Sequence, residues 1–233
     1  MRALGMIGGM SWESSAVYYR EINLGIQKKL GGFYSGKIIL YSMDFAEIER
    51  LQHSGDWKRL GIMLANAAYS LQKAGAEGVI LCTNTMHKVA NKILENIKVP
   101  FLHIADATAQ KLLNDNIKKV ALLGTAFTME EDFYRKRLEE KFGLEVVIPR
   151  QKQRKEIHRI IYEELCLGAI KDSSRDHYVK TIENLAEQGA EAVILGCTEI
   201  GLLVSQEDSP LPIYDTSMIH VDAAVRWMVN QQN

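Results

Sequence analysis

Short apolar runs alternate with longer segments whose apolar residues recur at helical spacing, and the alternation runs the length of the chain. Ala3–Ile7 closes on Gly8-Gly9 and predicts a buried strand. Ser11 can cap a helix from about Trp12 to Leu30, with Val17, Tyr18, Ile22 and Ile26 near helical spacing and Gly31-Gly32 as its stop. Lys37–Met43 predicts a second strand, Phe45–Gln52 a short helix or active-site loop, and Asp56–Ala74 a long helix ended by Gly75. Further strands are predicted at Gly78–Leu81, Val99–Ile104, Val120–Leu123, Glu145–Ile148, Ala192–Leu195 and Pro212–Tyr214. Helices are predicted at Met86–Ile97, Thr108–Asn114, Met129–Phe142, Glu156–Leu167, Ser174–Gln188 and His220–Asn230. Strands alternating with helices call for an α/β fold: mainly parallel sheets, flanking helices on both faces and right-handed crossovers. In such sheets ligands sit beyond the carboxyl ends of the strands. Gly8-Gly9, Thr83-Asn84, Gly124-Thr125 and Cys197-Thr198 all fall there.

The pattern also repeats. Residues 75–83 read GAEGVILCT and residues 189–197 read GAEAVILGC, so that Cys82 falls on Gly196 and Thr83 on Cys197. The apolar run into Gly8 matches the run into Gly124, and Val99-Pro100-Phe101-Leu102 matches Leu211-Pro212-Ile213-Tyr214. Gly8 and Gly124, Thr83 and Cys197, and Pro100 and Pro212 are separated by 116, 114 and 112 residues, a nearly constant offset. Buried parallel strands resemble one another, but three matches in one order indicate a duplication. The period is too long for a solenoid and suits two similar, pseudo-symmetric domains. The expected division is residues 1–103 plus 215–233 against 104–214, with an active-site cleft between them.

Composition narrows the partners. A 233-residue chain with 47% hydrophobic and 24% charged residues is ordinary for a globular protein. A net charge of −1 argues against nucleic acid or a membrane surface as partner. The basic cluster Arg150–Lys155 reads as a solvated loop or helix start. No apolar stretch is long enough to span a bilayer, and the first strand is too short for a secretory signal. Three cysteines without disulfide-like or zinc spacing point to a reducing compartment, so a cytoplasmic location is expected.

Four polar clusters could carry chemistry. At the end of a strand, free backbone N–H groups and a helix dipole would favour thiolate at Cys197; a buried apolar cysteine is the even alternative. Side chains alternate along a strand, so if Thr83 faces a ligand, Cys82 faces the core. Cys166 sits among leucines and suits core packing. Thr83-Asn84-Thr85 and Cys197-Thr198-Glu199 offer hydroxyls, an amide and backbone donors fit for a carboxylate, or ordinary helix caps. Gly8-Gly9-Met10-Ser11 is neither GxGxxG nor a P-loop, which disfavours a nucleotide. Its counterpart Gly124-Thr125-Ala126-Phe127-Thr128 carries two hydroxyls. His87 could orient a polar group, shuttle protons or serve the fold. Glu199 could polarise Cys197 or serve a helix dipole.

Gly8-Gly9-Met10-Ser11, Cys82-Thr83-Asn84-Thr85-Met86-His87 and Gly196-Cys197-Thr198-Glu199, in this order, resemble the aspartate/glutamate racemase family over essentially the whole chain. The resemblance implies two pseudo-symmetric α/β domains, racemisation of amino acids without cofactor or metal, a small amino-acid substrate and a homodimer. The family pattern places a cysteine directly before Asn-Thr and another before Thr-Glu, one on each side of the substrate α-carbon. Here the residue before Asn84 is Thr83, so the chain resembles the subgroup with threonine at the first acid/base position.

On that resemblance Cys197 takes the α-proton from one enantiomer and Thr83 completes protonation on the other face. Charge developing on the substrate carboxylate needs fixed donors; the candidates are Asn84, Thr85, Thr125, Thr128 and Thr198, with backbone at Met10 and Ser11. Gln52, placed in a loop after the second strand, is expected to meet the substrate's side-chain end. Hydantoin racemases, maleate isomerases and arylmalonate decarboxylases share related folds and cysteine placement, and a chain with one thiol missing could also be a non-catalytic amino-acid-binding protein. Fold analogy alone does not choose the substrate.

Overall fold

The computed structural model describes residues 1–230. They form two compact units: Met1–Ile104 with the segment from His220 onward, and Ala105–Ile219. Each unit is built on a four-stranded, all-parallel sheet.

In the first unit the strands are β1 (Leu4–Gly8), β2 (Ile38–Ser42), β3 (Gly78–Leu81) and β4 (Phe101–Leu102), in the order β2-β1-β3-β4. Every residue of β1 and β3 is buried, as expected of central parallel strands covered on both faces. Alternation then sends neighbours to opposite faces. Ile7, Val79 and Leu81 pack with Ile48, Leu60 and Leu64 of α2 (Phe45–Ser54) and α3 (Trp57–Lys73). Leu4, Met6, Ile80 and Cys82 pack with Tyr18, Ile22 and Ile26 of α1 (Trp12–Leu30). Ser11 caps α1 by accepting from the Ser14 N–H, and Gly31, at φ 76°, ends it.

The second unit repeats the plan with β5 (Lys119–Gly124), β6 (Glu145–Val147), β7 (Ala192–Gly196) and β8 (Ile213–Asp215), in the order β6-β5-β7-β8. The repeat extends to register: Ile7 pairs with Leu81 in the first sheet, and Leu123 with Leu195 in the second. Ala121, Leu123, Val193 and Leu195 face a core completed by Ile157, Ile160 and Ile161 of α8 (Gln151–Glu163) and by Tyr178, Ile182 and Leu185 of α9 (Asp172–Glu187).

Several elements differ from the sequence expectation. The Met86–Ile97 helix opens as a tight 3-10 turn at Thr85–Val89, and only Ala90–Asn96 (α4) is α-helical. The Val99–Ile104 strand shortens to β4, because α5 (Ile104–Asn114) starts at Ile104. The Met129–Phe142 helix is broken into α6 (Ala126–Glu130), α7 (Asp132–Lys136) and a π-helical turn at Arg137–Lys141. Extended backbone at Glu131, φ −92° and ψ 157°, separates the first two. Arg137 and Lys141 on the π turn both reach the Asp106 carboxylate of α5. The closing helix, α10 (Thr216–Val229), begins four residues before His220, because Asp215 accepts from the Ser217 N–H at 2.8 Å and caps it there. The basic cluster forms the start of α8.

Candidate active site

In the first unit β1 and β3 run side by side and end together, and the Cys82 N–H donates to the Ile7 carbonyl at 2.9 Å. Two candidate clusters follow these strands. After β1 the chain turns at Gly9, at φ 86°, where a Cβ would lie 2.2 Å from the Met43 carbonyl oxygen. Only glycine fits so close a backbone approach. Met10 and Ser11 follow, both buried and joined by a cis peptide. The Ser15 hydroxyl accepts from the Gly9 N–H at 2.8 Å and donates to the Ser11 carbonyl at 2.9 Å, which closes the turn.

After β3, Cys82 is fully buried against Tyr18 and Ile22, and burial pushes its thiol far above the ordinary value. Thr83 is half-buried, and Asn84 and Thr85 are buried beside it. The Thr83 carbonyl accepts from His87 Nδ1 at 2.8 Å. Gln52 corrects the expectation of a loop: it lies in the last turn of α2, buried, and its amide donates to the Met86 sulfur at 3.0 Å. That contact brings Gln52 to the same 3-10 turn that begins at Thr85.

In the second unit β5 and β7 end as a pair, with Gly124 opposite Gly196. Thr125 caps α6: its hydroxyl accepts from the Thr128 N–H at 3.2 Å and lies 3.2 Å from the Thr128 hydroxyl. Cys197 and Thr198 follow β7, both half-buried. The Cys197 sulfur donates to Glu199 Oε2 at 3.0 Å, and the Thr198 hydroxyl donates to the same oxygen at 2.6 Å. Glu199 is itself buried.

Of the two readings left open for Cys197, thiolate at a strand end or buried thiol, this geometry favours the thiol. Burial first, and the Glu199 charge next, raise the thiol well above its ordinary value. The segment after Gly196 is a turn leading into a three-residue 3-10 helix, Ile200–Leu202, too short to supply a sizeable dipole. The resting group is a thiol with its proton already directed at a carboxylate.

Each unit therefore gathers its own candidates: Met10, Ser11, Gln52, Thr83, Asn84 and Thr85 in the first, and Thr125, Thr128, Cys197 and Thr198 in the second. Two residues join them. Glu199, weighed from sequence as polarising Cys197 or serving a helix dipole, accepts from both Cys197 and Thr198. His158 is the one that sequence reasoning missed. His158 accepts the Ala126 N–H on Nδ1 at 3.1 Å and so holds the turn that carries Thr125 and Thr128. Its distance in sequence from Thr125 left no signal.

Over nearly its full length the chain is similar to the crystal structure of a candidate Asp/Glu racemase from Yersinia pestis, with 53% identity, a TM-score of 0.93, and 99% and 100% of the two chains covered. It is also similar to the structure of an aspartate racemase homologue from Pyrococcus horikoshii OT3, at 36% identity and a TM-score of 0.83, covering 99% and 100%. A 158-residue segment is 27% identical to the broad specificity amino-acid racemase RacX of Bacillus subtilis (strain 168), spanning 66% of each chain. The family model for Asp/Glu/Hydantoin racemase matches residues 7–224, and the chain belongs to that family.

Proposed function

We propose that the protein is a cofactor-independent amino-acid racemase acting on aspartate, glutamate or a broader set of amino acids, with Cys197 and Thr83 as its acid/base pair. The observation that carries this reading is the Cys197–Glu199 bond of 3.0 Å. It gives the thiol proton a defined acceptor. Glu199 Oε2 takes that proton as the thiolate forms, and the thiolate then removes the substrate α-proton. The Thr83 hydroxyl delivers its proton to the opposite face of the resulting carbanion. The proton held on Glu199 returns through water to the Thr83 oxygen, so each turnover restores every group and consumes no proton.

An α-proton is far less acidic than a thiol, so the charge that develops on the substrate carboxylate must be met by fixed donors. Asn84, Thr85, Thr125, Thr128 and Thr198, with backbone at Met10 and Ser11, supply N–H and O–H groups of that kind. Gln52 is assigned to the side-chain end of the substrate. Similarity to a broad specificity racemase favours a range wider than the acidic amino acids. A homodimer in the cytoplasm completes the reading; three free cysteines suit a reducing compartment.

A panel of single-enantiomer amino acids, with hydantoins and maleate as competitors, tests this in deuterium oxide. Inversion with deuterium entering at the α-carbon is the expected result. A protein that binds amino acids and leaves both chirality and label untouched is a binder, and this reading is then wrong.

A further inference from the structure

Three buried histidines, His87, His103 and His220, crowd the end of β4 in the first unit. Their bonds identify the tautomers of two of them. The Ile104 N–H donates to His87 Nε2 at 3.2 Å, so that nitrogen bears a lone pair. The ring proton is therefore on Nδ1, which donates to the Thr83 carbonyl at 2.8 Å. His220 is the opposite tautomer. Its Nε2–H donates to the Leu102 carbonyl at 2.9 Å, and Nδ1 accepts from the Tyr18 hydroxyl at 3.1 Å. Two imidazoles thus grip the backbone on either side of His103, by the carbonyl of Leu102 and the amide of Ile104. The His103 ring packs on His87 with centroids 4.4 Å apart.

The rigid His87 ring spans two backbone groups, one on the candidate acid/base residue Thr83 itself and one at the last residue before the chain leaves the first unit. A carbonyl held from a ring of fixed shape limits the backbone torsion at Thr83, and the backbone in turn restricts the rotamers open to the Thr83 hydroxyl. Resting on the racemase reading above, we propose that His87 is a positioning residue for the Thr83 half of the reaction. Its Nδ1–H aims Thr83, and its Nε2 bond to Ile104 serves the fold.

The two ring nitrogens can be replaced one at a time. In His87→Asn the side-chain amide occupies the place of Nδ1 and can still donate to Thr83. In His87→Gln the longer side chain reaches the place of Nε2, and its oxygen can accept from Ile104. His87→Gln is expected to lose about tenfold or more in kcat with KM within about twofold, whereas His87→Asn is rescued to within about threefold of the parent. Equal losses in both variants, tracking equal losses in melting temperature, would overturn the proposal, as would an unchanged kcat in His87→Gln. Nitrogen NMR of the labelled imidazole and backbone shifts at Thr83 and Asn84 give a readout free of turnover. A proton on Nδ1 and shifts displaced in His87→Gln but not in His87→Asn support positioning even if no amino acid is racemised; a proton on Nε2 overturns it.

Discussion

The Cys197 sulfur lies 3.0 Å from a Glu199 carboxylate oxygen that also accepts the Thr198 hydroxyl, so one buried acid meets the proton of the candidate acid/base thiol. Its charge is among the reasons that the thiol stays protonated, burial being the larger. Replacing Glu199 by Gln removes the charge and lowers the Cys197 pKa. The pH at which iodoacetamide alkylation of Cys197 reaches half its maximal rate should move down, while racemisation falls by about 10- to 100-fold because the proton acceptor is gone. An alkylation profile unmoved by the substitution contradicts the linkage.

The two cysteines at the matching strand ends should behave oppositely. Cys197→Ala is expected to cost about 1000-fold or more in turnover and to abolish α-deuterium exchange. Cys82 is sealed in the core beside Tyr18 and Ile22. Cys82→Ala should keep turnover within about twofold and cost about 1 kcal/mol of stability through the small cavity it leaves. Chiral assay and denaturant titration of both variants check this pair; strong loss of activity in Cys82→Ala would reverse the assignment.

If Cys197 and Thr83 are the acid/base pair, as proposed, a thiol and a hydroxyl make the two directions unequal at saturation. Conversion of the enantiomer whose α-proton faces Cys197 should be the faster, with a compensating difference in KM because the overall equilibrium constant is one. Thr83→Cys should bring the two kcat values closer together. Initial rates from pure L and pure D substrate measure both effects, and equal saturated rates in the parent protein count against the assignment.

His220 gives the first unit a pH dependence of stability. Burial lowers its pKa from 6.5 to about 4, against a smaller opposing effect of the bond to Leu102. As pH falls through 6.5 the unfolded chain takes a proton that the folded ring refuses, so stability is full above about 6.5 and declines down to about 4. The ceiling on this loss is of order 3 kcal/mol. Denaturant titrations across this window should show the decline, and His220→Gln, which can still donate to the Leu102 carbonyl, should flatten it.

Gly9→Ala tests the turn behind Met10 and Ser11. An added Cβ would sit 2.2 Å from the Met43 oxygen at a φ of 86°. The expected cost is about 1–3 kcal/mol, with a further loss of activity as Met10 and Ser11 shift. A melting temperature unchanged from the parent would show that the turn can adjust.

Much of this was legible in the chain itself. Apolar runs of strand length, closed by glycine and spaced by helical segments, specified parallel sheets, because a strand buried on both faces must be apolar throughout and its crossover needs a helix. The repeat from Gly75 to Gly189 specified two similar units, and period-two alternation separated Cys82 from Thr83. Local boundaries were less legible where tertiary partners override propensity: Glu131 breaks a helix that periodicity predicts, and Asp106 draws Arg137 and Lys141 into a π turn. Only the folded chain decided the chemistry of Cys197. Sequence placed a thiol at a strand end and left thiolate and buried thiol evenly weighed; burial and the nearby Glu199 carboxylate favour the thiol. Nor could sequence pair His87 with Ile104, His158 with Ala126 or Gln52 with Met86. Periodicity tells which face a residue takes, whereas a proton's partner depends on side-chain directions and on residues brought close from distant parts of the chain.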